Sequence, residues 1–162
     1  MDADISFAVP SDHSCILDLV TRVWTMGFSY QQEQMYGRIV GKPWQEKVSD
    51  AVRDYLTSPG VSVLKAKIDG HFAGFMAYRI HSDTRIGEIG YNAVSPEFTG
   101  RGLGKQMLQA ALQKLQEAGM EHVEVVTGLN EGHLPARKMY ESAGFSPIQE
   151  SIRYTLNLEA YK

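Results

Sequence analysis

The sequence predicts an α/β domain built on a mixed β-sheet. Three segments with strand-like alternation follow one another between residues 61 and 94, and Asp69-Gly70 is a strong hairpin signal between the first two. A segment with helical periodicity then separates the third strand from an apolar strand at 122–127. Because two strands joined through a helix run parallel by a right-handed crossover, we expect both antiparallel and parallel pairs in the sheet.

The first 60 residues are expected to form one strand and two helices. Residues 5–9 resemble a short strand, and Ser11 is a candidate N-cap for the helix that follows. The segment from 29 to 42 is aromatic and polar, with weak periodicity. Pro43 suits the start of the second helix, which Ser58-Pro59-Gly60 ends.

The later elements alternate between strands and helices. Strands are expected at 61–68, 71–80, 85–94, 122–127 and 151–158. A helix from Leu103 to Ala118 ends at Gly119. Pro135 suits the first turn of the last helix, which extends to Ala143. The predicted order is therefore β-α-α-β-β-β-α-β-α-β.

The composition is typical of one globular domain, assigned to residues 1–162. Apolar residues make up 43% of the chain, charged residues 22%, and the formal net charge is −3. No run of Lys and Arg indicates a nucleic-acid surface, and no apolar run approaches the ~20 residues of a membrane span. The single Cys15 cannot form an internal disulfide, which favours a cytoplasmic setting. The histidine spacing predicts no metal site.

The most informative segment lies between the third of the sequential strands and the helix after it. Gly100, Gly102 and Gly104 directly precede or open that helix. A glycine-rich turn at a helix N-terminus presents free N–H groups and the positive end of the helix dipole, a combination that binds phosphate. Neither the P-loop nor the G-x-G-x-x-G fingerprint fits, because Gln106 follows Gly104-Lys105 and the third Gly of the fingerprint is missing.

Two motifs carry a resemblance to a known family. Thr99-Gly100-Arg101-Gly102-Leu103-Gly104 resembles the acetyl-CoA pyrophosphate loop Q/R-x-x-G-x-G/A of the GNAT superfamily of N-acetyltransferases, with Thr99 in place of Gln or Arg. The stretch from Tyr140 to Phe145 resembles the family's Y-E-x-x-G-F signature. Upstream of it, His133 occupies the Asn position of N-x-x-A-x-x-L-Y. The predicted order of elements is also that of the family.

The resemblance implies a fold, a cofactor and a set of site residues. It implies a GNAT-like sheet whose central parallel strand pair is splayed, with a bulge before the loop. It implies acetyl-CoA as co-substrate, bound by Asn92, Ala93, Val94, Thr99, Gly100, Arg101, Gly102, Leu103, Gly104 and Lys105. A further cofactor contact is expected from Asn130 or His133, and Tyr140 is expected to protonate the CoA thiolate.

The base that removes the amine proton is open from the sequence. Glu88 is the first candidate, because period two places Glu88 and Asn92 on one face of the strand if no bulge intervenes. His81 and a water chain are the alternatives.

The expected reaction is direct acetyl transfer to a primary amine in a ternary complex. A transferase of a larger acyl group and a non-catalytic acyl-CoA-binding sensor or partner domain are the alternatives. The aromatic-rich segment 24–44 is expected to wall the acceptor site, where Glu33, Glu46 and Asp50 would favour a cationic amine. The sequence leaves open whether the acceptor is a small molecule or a peptide, and whether the protein forms a homodimer.

Overall fold

The computed structural model describes residues 3–161, in which it shows five strands and five α-helices. The strands are β1 (Asp4–Phe7), β2 (Val61–Ile68), β3 (His71–His81), β4 (Ile86–Val94) and β5 (His122–Val125). The helices are α1 (His13–Val23), α2 (Phe28–Tyr36), α3 (Trp44–Leu56), α4 (Leu103–Glu117) and α5 (Leu134–Ser142).

The five strands form one mixed sheet in the order β1-β2-β3-β4-β5. The first four pair antiparallel, and β4 pairs with β5 in parallel, as the intervening helix predicts. One apolar cluster packs α1 and α3 against a face of the sheet, with Ile16, Val52 and Phe75 fully buried. A second cluster packs α4 against the opposite face and includes Tyr140 of α5.

The parallel pair is splayed, as expected. Pairing between β4 and β5 runs only from Ile86↔His122 to Ile89↔Val125, whereas β4 continues to Val94. The β3–β4 register also shifts: Tyr78 faces Ile89 but Met76 faces Asn92, so Gly90 and Tyr91 form a bulge. The last residues of β4 therefore lack a partner on the β5 side, and a cleft opens there.

Helix α2 lies in the segment whose periodicity was too weak to predict an element. None of its residues is buried, so no apolar stripe marks it in the sequence. Contacts with α3 hold it instead: the Tyr30 and Trp44 rings meet edge to face at 5.7 Å, and the Glu33 carboxylate accepts the Trp44 N–H. Tertiary contacts rather than local periodicity define this helix.

The predicted strand at 151–158 is wrong, because residues 145–157 form no regular secondary structure. The alternating side chains Ile152, Tyr154 and Leu156 are exposed. Alternation defines only the two faces of a strand, and a strand also needs a neighbouring edge with which to pair. The segment instead crosses α2, where the Thr155 carbonyl accepts a hydrogen bond from the Tyr36 hydroxyl at 3.3 Å.

Candidate active site

A cleft of about 990 Å³ opens where β4 separates from β5. The start of α4, the loop before α2 and one face of α5 complete its walls. Eleven of the residues predicted for the site line it, namely Asn92, Ala93, Val94, Thr99, Gly100, Gly102, Leu103, Gly104, Lys105, His133 and Tyr140. The other predicted residues, Glu88, Arg101 and Asn130, lie outside this lining.

The glycine loop reaches α4 through two left-handed residues. Gly100 and Gly102 have φ of 74° and 79°, a conformation that costs a residue with a Cβ roughly 1–2 kcal/mol. No atom lies within 4 Å of a Cβ built on either glycine, so their open side faces free space. The Thr99 hydroxyl donates to the Pro96 carbonyl at 2.9 Å, so this side chain is engaged within the turn.

Helix α4 begins with no side-chain cap. Gly102 occupies the N-cap, and the Gln106 N–H donates to its carbonyl at 3.1 Å. The amides of Leu103, Gly104 and Lys105 precede that bond and have no acceptor within the helix. These three residues also line the cleft. Free amides, the positive helix end and the Lys105 ammonium favour an anion at this position.

Tyr140 is 5% exposed, and its hydroxyl meets the bulged end of β4. The Asn92 side-chain amide donates to the Tyr140 oxygen at 3.0 Å and to the Gly90 carbonyl at 3.0 Å. Burial raises the pKa of Tyr140 above its ordinary value, although the hydrogen bond from Asn92 lowers it in part. Because the oxygen already accepts a hydrogen bond, the neutral hydroxyl keeps its proton for donation.

Asn130 and His133 are in contact with each other, and only His133 lines the cleft. The His133 Nδ1 pairs with the Asn130 side-chain oxygen, while the Asn130 amide donates to the Met26 carbonyl at 3.3 Å. Arg137 donates to the carbonyls of Gly128 and Asn130 at 2.6 and 3.0 Å. Burial first, and then the Arg137 charge, lower the pKa of His133, which keeps the ring neutral near pH 7.

Glu88 lies on the other face of β4 from Asn92, because the condition for a shared face, an uninterrupted alternation between the two positions, is not met. Its carboxylate accepts a hydrogen bond from the Tyr55 hydroxyl of α3 at 2.9 Å and lies 3.5 Å from His81 Nε2. The bulge at Gly90 and Tyr91 inserts one residue and reverses the alternation between positions 88 and 92. The resemblance implies a bulge in this strand, but only the structure shows that the bulge lies between positions 88 and 92.

Aromatic side chains from β4 and from the residue that follows α1 line the part of the cleft beside α2. The rings of Trp24 and Tyr91 lie 5.2 Å apart, and Tyr91 meets Tyr55 edge to face at 5.0 Å. Trp24 was predicted in this wall from the sequence, but Tyr91, which the bulge turns toward α1 and α3, was not. Lys138 was not predicted either, although Pro135, Lys138, Met139 and Ser142 share a helical face that lines the cleft.

The three carboxylates expected near the acceptor are engaged elsewhere. Glu33 accepts from the Trp44 N–H and lies 3.9 Å from Arg38, and Lys42 pairs with both Glu46 and Asp50. None of the three lines the cleft.

Within residues 3–161, no group of three or more His, Cys, Asp or Glu side chains has an arrangement suited to a metal ion. In the same range, every helix is too short or too polar to cross a membrane.

The sequence model of the Acetyltransferase (GNAT) family matches residues 24–145, a range that contains the glycine loop and Tyr140. The chain belongs to the GNAT family. The match begins at the aromatic wall and ends at Phe145, so the unpaired segment after α5 lies outside it.

Curated relatives of this GNAT chain include two acetylating enzymes. It is 33% identical over 111 residues to mycothiol acetyltransferase of Nocardiopsis dassonvillei, covering 64% of this chain and 32% of that protein. It is 29% identical over 161 residues to human N-acetylaspartate synthetase, covering 95% of this chain and 50% of that protein. The chain thus spans about a third to a half of the length of these two relatives.

A solved structure with the same fold is that of AAC(6')-Iy in complex with the bisubstrate analogue CoA-S-monomethyl-acetylneamine. The two chains superpose with a TM-score of 0.66 at 16% identity, covering 97% of this GNAT chain and 99% of the other. At this identity the likeness describes the fold alone.

Proposed function

We propose that the protein transfers an acetyl group from acetyl-CoA to a primary amine, directly and in a ternary complex. One observation carries the proposal: the uncapped start of α4 and the Tyr140 hydroxyl open onto the same cleft. An anion site and a neutral proton donor are the two groups that a CoA thioester needs at its two ends. Names among the relatives favour acetylation, since they include mycothiol acetyltransferase and N-acetylaspartate synthetase.

The residues of the cleft fit a long, polyanionic cofactor. In this proposal the amides of Leu103, Gly104 and Lys105 bind the pyrophosphate, and the open faces of Gly100 and Gly102 allow it to approach the backbone. The unpaired end of β4 offers backbone hydrogen bonds to the amides of the pantetheine arm. Neutral His133 supplies a polar contact, and Asn130 positions it through their mutual bond.

Acetyl-CoA supplies the activated acetyl group, and the protein supplies positioning and a proton. We assign Tyr140 the role of general acid: it donates its proton to the departing thiolate sulfur, while Asn92 holds the phenol oxygen. A backbone N–H at Ala93 or Val94 would stabilise the charge that develops on the thioester oxygen.

Removal of the proton from the amine is assigned to water. Glu88 and His81 pair with each other, and neither lines the cleft, so direct contact between either of them and the amine has no support from the geometry. An amine of pKa ~10.4 is mostly charged at pH 7, so a proton relay to solvent is required before attack.

A panel of amines assayed for free CoA release tests the proposal, together with a thermal-shift titration of acetyl-CoA. We expect acetyl-CoA to raise the melting temperature and at least one class of amine to release CoA. A melting temperature unchanged at millimolar acetyl-CoA would overturn the assignment of the cofactor. Binding without release for every amine would instead favour a non-catalytic acyl-CoA sensor.

A further inference from the structure

The charged residues that line the cleft are all basic. Among residues 3–161, the lining includes Lys105, Lys138 and Arg153 but no Asp or Glu. Lys105 belongs to the start of α4, which is proposed to bind the pyrophosphate of CoA, and Lys138 belongs to α5, which carries the proposed general acid Tyr140. Arg153 belongs to neither, so its charge needs a different explanation.

Arg153 lies on the α2 side of the cleft. Its guanidinium carbon is 4.5 Å from the centroid of the Phe28 ring, at the first residue of α2. The hydrogen bond from the Tyr36 hydroxyl to the Thr155 carbonyl holds the same segment across the helix. Residues 24–29, which include the Trp24 side of the aromatic wall, line the cleft beside it.

The contact with Phe28 leaves hydrogen-bonding groups of Arg153 available. The guanidinium carbon lies over the ring, and one ring can engage only part of a group that carries five N–H donors. In residues 3–161, no Asp or Glu forms an ion pair with Arg153. The planar guanidinium group can donate two parallel N–H hydrogen bonds to the two oxygens of one carboxylate.

This charge pattern disfavours a polycationic acceptor. Such an acceptor would meet Arg153 without a carboxylate to balance its charge, because Glu33, Glu46 and Asp50 are bound outside the cleft. An acceptor that carries a carboxylate beside its amine would gain an ion pair and leave its amine free to face Tyr140. Opposite charges across an interface select partners more strongly than they add affinity.

We propose that the acceptor is an amine bearing a carboxylate, such as an amino acid, and that Arg153 selects it by binding that carboxylate. The inference rests on the proposed acetyltransferase function, and it names the substrate class of the same site. Arg153 is therefore a specificity-determining residue, held in place by Phe28.

Matched acceptor pairs test the inference. Each pair is an α-amino acid and its carboxamide, which keeps the shape and removes the negative charge. Binding of both members to protein saturated with CoA is measured by calorimetry, and kcat/KM is measured with acetyl-CoA. We expect the preferred amino acid to bind about 10-fold more tightly than its amide, at the lower end of the effect of a charge-assisted hydrogen bond. In Arg153→Gln the preference should disappear because the amino acid binds more weakly, whereas the affinity for the carboxamide stays unchanged.

Arg53→Gln is the matched control, because Arg53 is an exposed arginine of α3 that pairs with Asp50 and does not line the cleft. It should keep the wild-type preference. Equal binding of the amino acid and its amide by the wild type would overturn the inference. It would also be overturned if Arg153→Gln lowered the affinity for both members equally, or lowered the affinity for CoA instead. Selective binding of the acid without any acetyl transfer would contradict the proposed function and leave the carboxylate site standing.

Discussion

Replacement of Tyr140 by Phe removes one oxygen from the cleft and leaves the rest of the ring in place. The ring packs edge to face with Phe145 at 5.7 Å, and the phenol oxygen accepts one hydrogen bond, from Asn92 at 3.0 Å. The variant therefore loses a proton donor and a hydrogen-bond acceptor, while the apolar packing of the side chain is retained.

The effects on stability and on catalysis should differ greatly in size. Loss of the bond from Asn92 costs about 1 kcal/mol of unfolding free energy, or ~2–4 °C in melting temperature for a chain of this length. Loss of a general acid typically lowers the rate ~10²–10⁴-fold, equivalent to about 2.7–5.4 kcal/mol. A fall in kcat of at least about 100-fold therefore cannot come from the small loss of stability.

The assay measures kcat and the CoA dissociation constant of Tyr140→Phe beside a matched control, Tyr78→Phe. Tyr78 is also buried in the cluster beneath α4, but it lies on β3 and does not line the cleft. We expect Tyr140→Phe to lose kcat while CoA affinity is largely retained, and Tyr78→Phe to keep both. Because burial raises the pKa of Tyr140 above its ordinary value of ~10, most of the phenol should stay protonated below that pH, and a loss of kcat caused by ionisation of Tyr140 should appear only at higher pH.

An unchanged kcat in Tyr140→Phe would refute the reasoning and leave Tyr140 a packing residue. A loss of kcat that follows a parallel loss of CoA affinity would also refute it, because the hydroxyl would then act in binding rather than in proton transfer.

Three further variants test other parts of the structure. Gly102→Glu should abolish the rise in melting temperature that CoA causes, because the new side chain strains the backbone and repels the phosphates. The control Gly119→Glu lies beyond the other end of α4 with a similar φ of 81°, and its melting temperature should still rise with CoA. Equal responses of the two variants would show that the loop does not bind the cofactor. Glu88→Gln should lower kcat less than about 10-fold. A loss as large as that expected from removal of a general acid or base would instead identify Glu88 as the base. Asp12→Asn should lower the unfolding free energy at pH 7 by about 1–2 kcal/mol, because Lys65 and then the Val9 N–H lower the pKa of Asp12. Urea unfolding should show that this difference is present above pH ~4 and closes as pH falls through the lowered pKa, and a pH-independent difference would contradict the ion pair.

The central sheet and the helix after the glycine loop were predictable from the sequence, since they depend on local patterns. The alternation from 61 to 94 encodes the three antiparallel strands, and the hairpin signal Asp69-Gly70 fixes the connection between the first two. The apolar positions Leu103, Met107, Leu108, Ala111 and Leu115 encode the buried face of α4. Periodicity is visible in these elements because each buries one continuous apolar face.

Two elements were not predictable, because their formation depends on contacts distant in sequence. Helix α2 buries no residue and depends on α3, and the segment after Phe145 alternates but has no sheet edge to pair with. For the candidate site, the glycine loop and Tyr140 could be found from motifs. The separation of Glu88 from Asn92 could not, because it depends on the exact position of the bulge in β4, which no motif specifies.

The proposed anion site could be located from the sequence, because three glycines at the start of a helix favour a particular local backbone conformation, and the first amides of a helix have no acceptor within it. Which charged side chains share the cleft depends instead on contacts between segments that are far apart in the chain. Strand register, the bulge and the path of the segment after α5 bring Arg153 against Phe28 and leave Glu33, Glu46 and Asp50 outside. Residues up to 125 positions apart in the chain meet there, and no local pattern specifies such a contact.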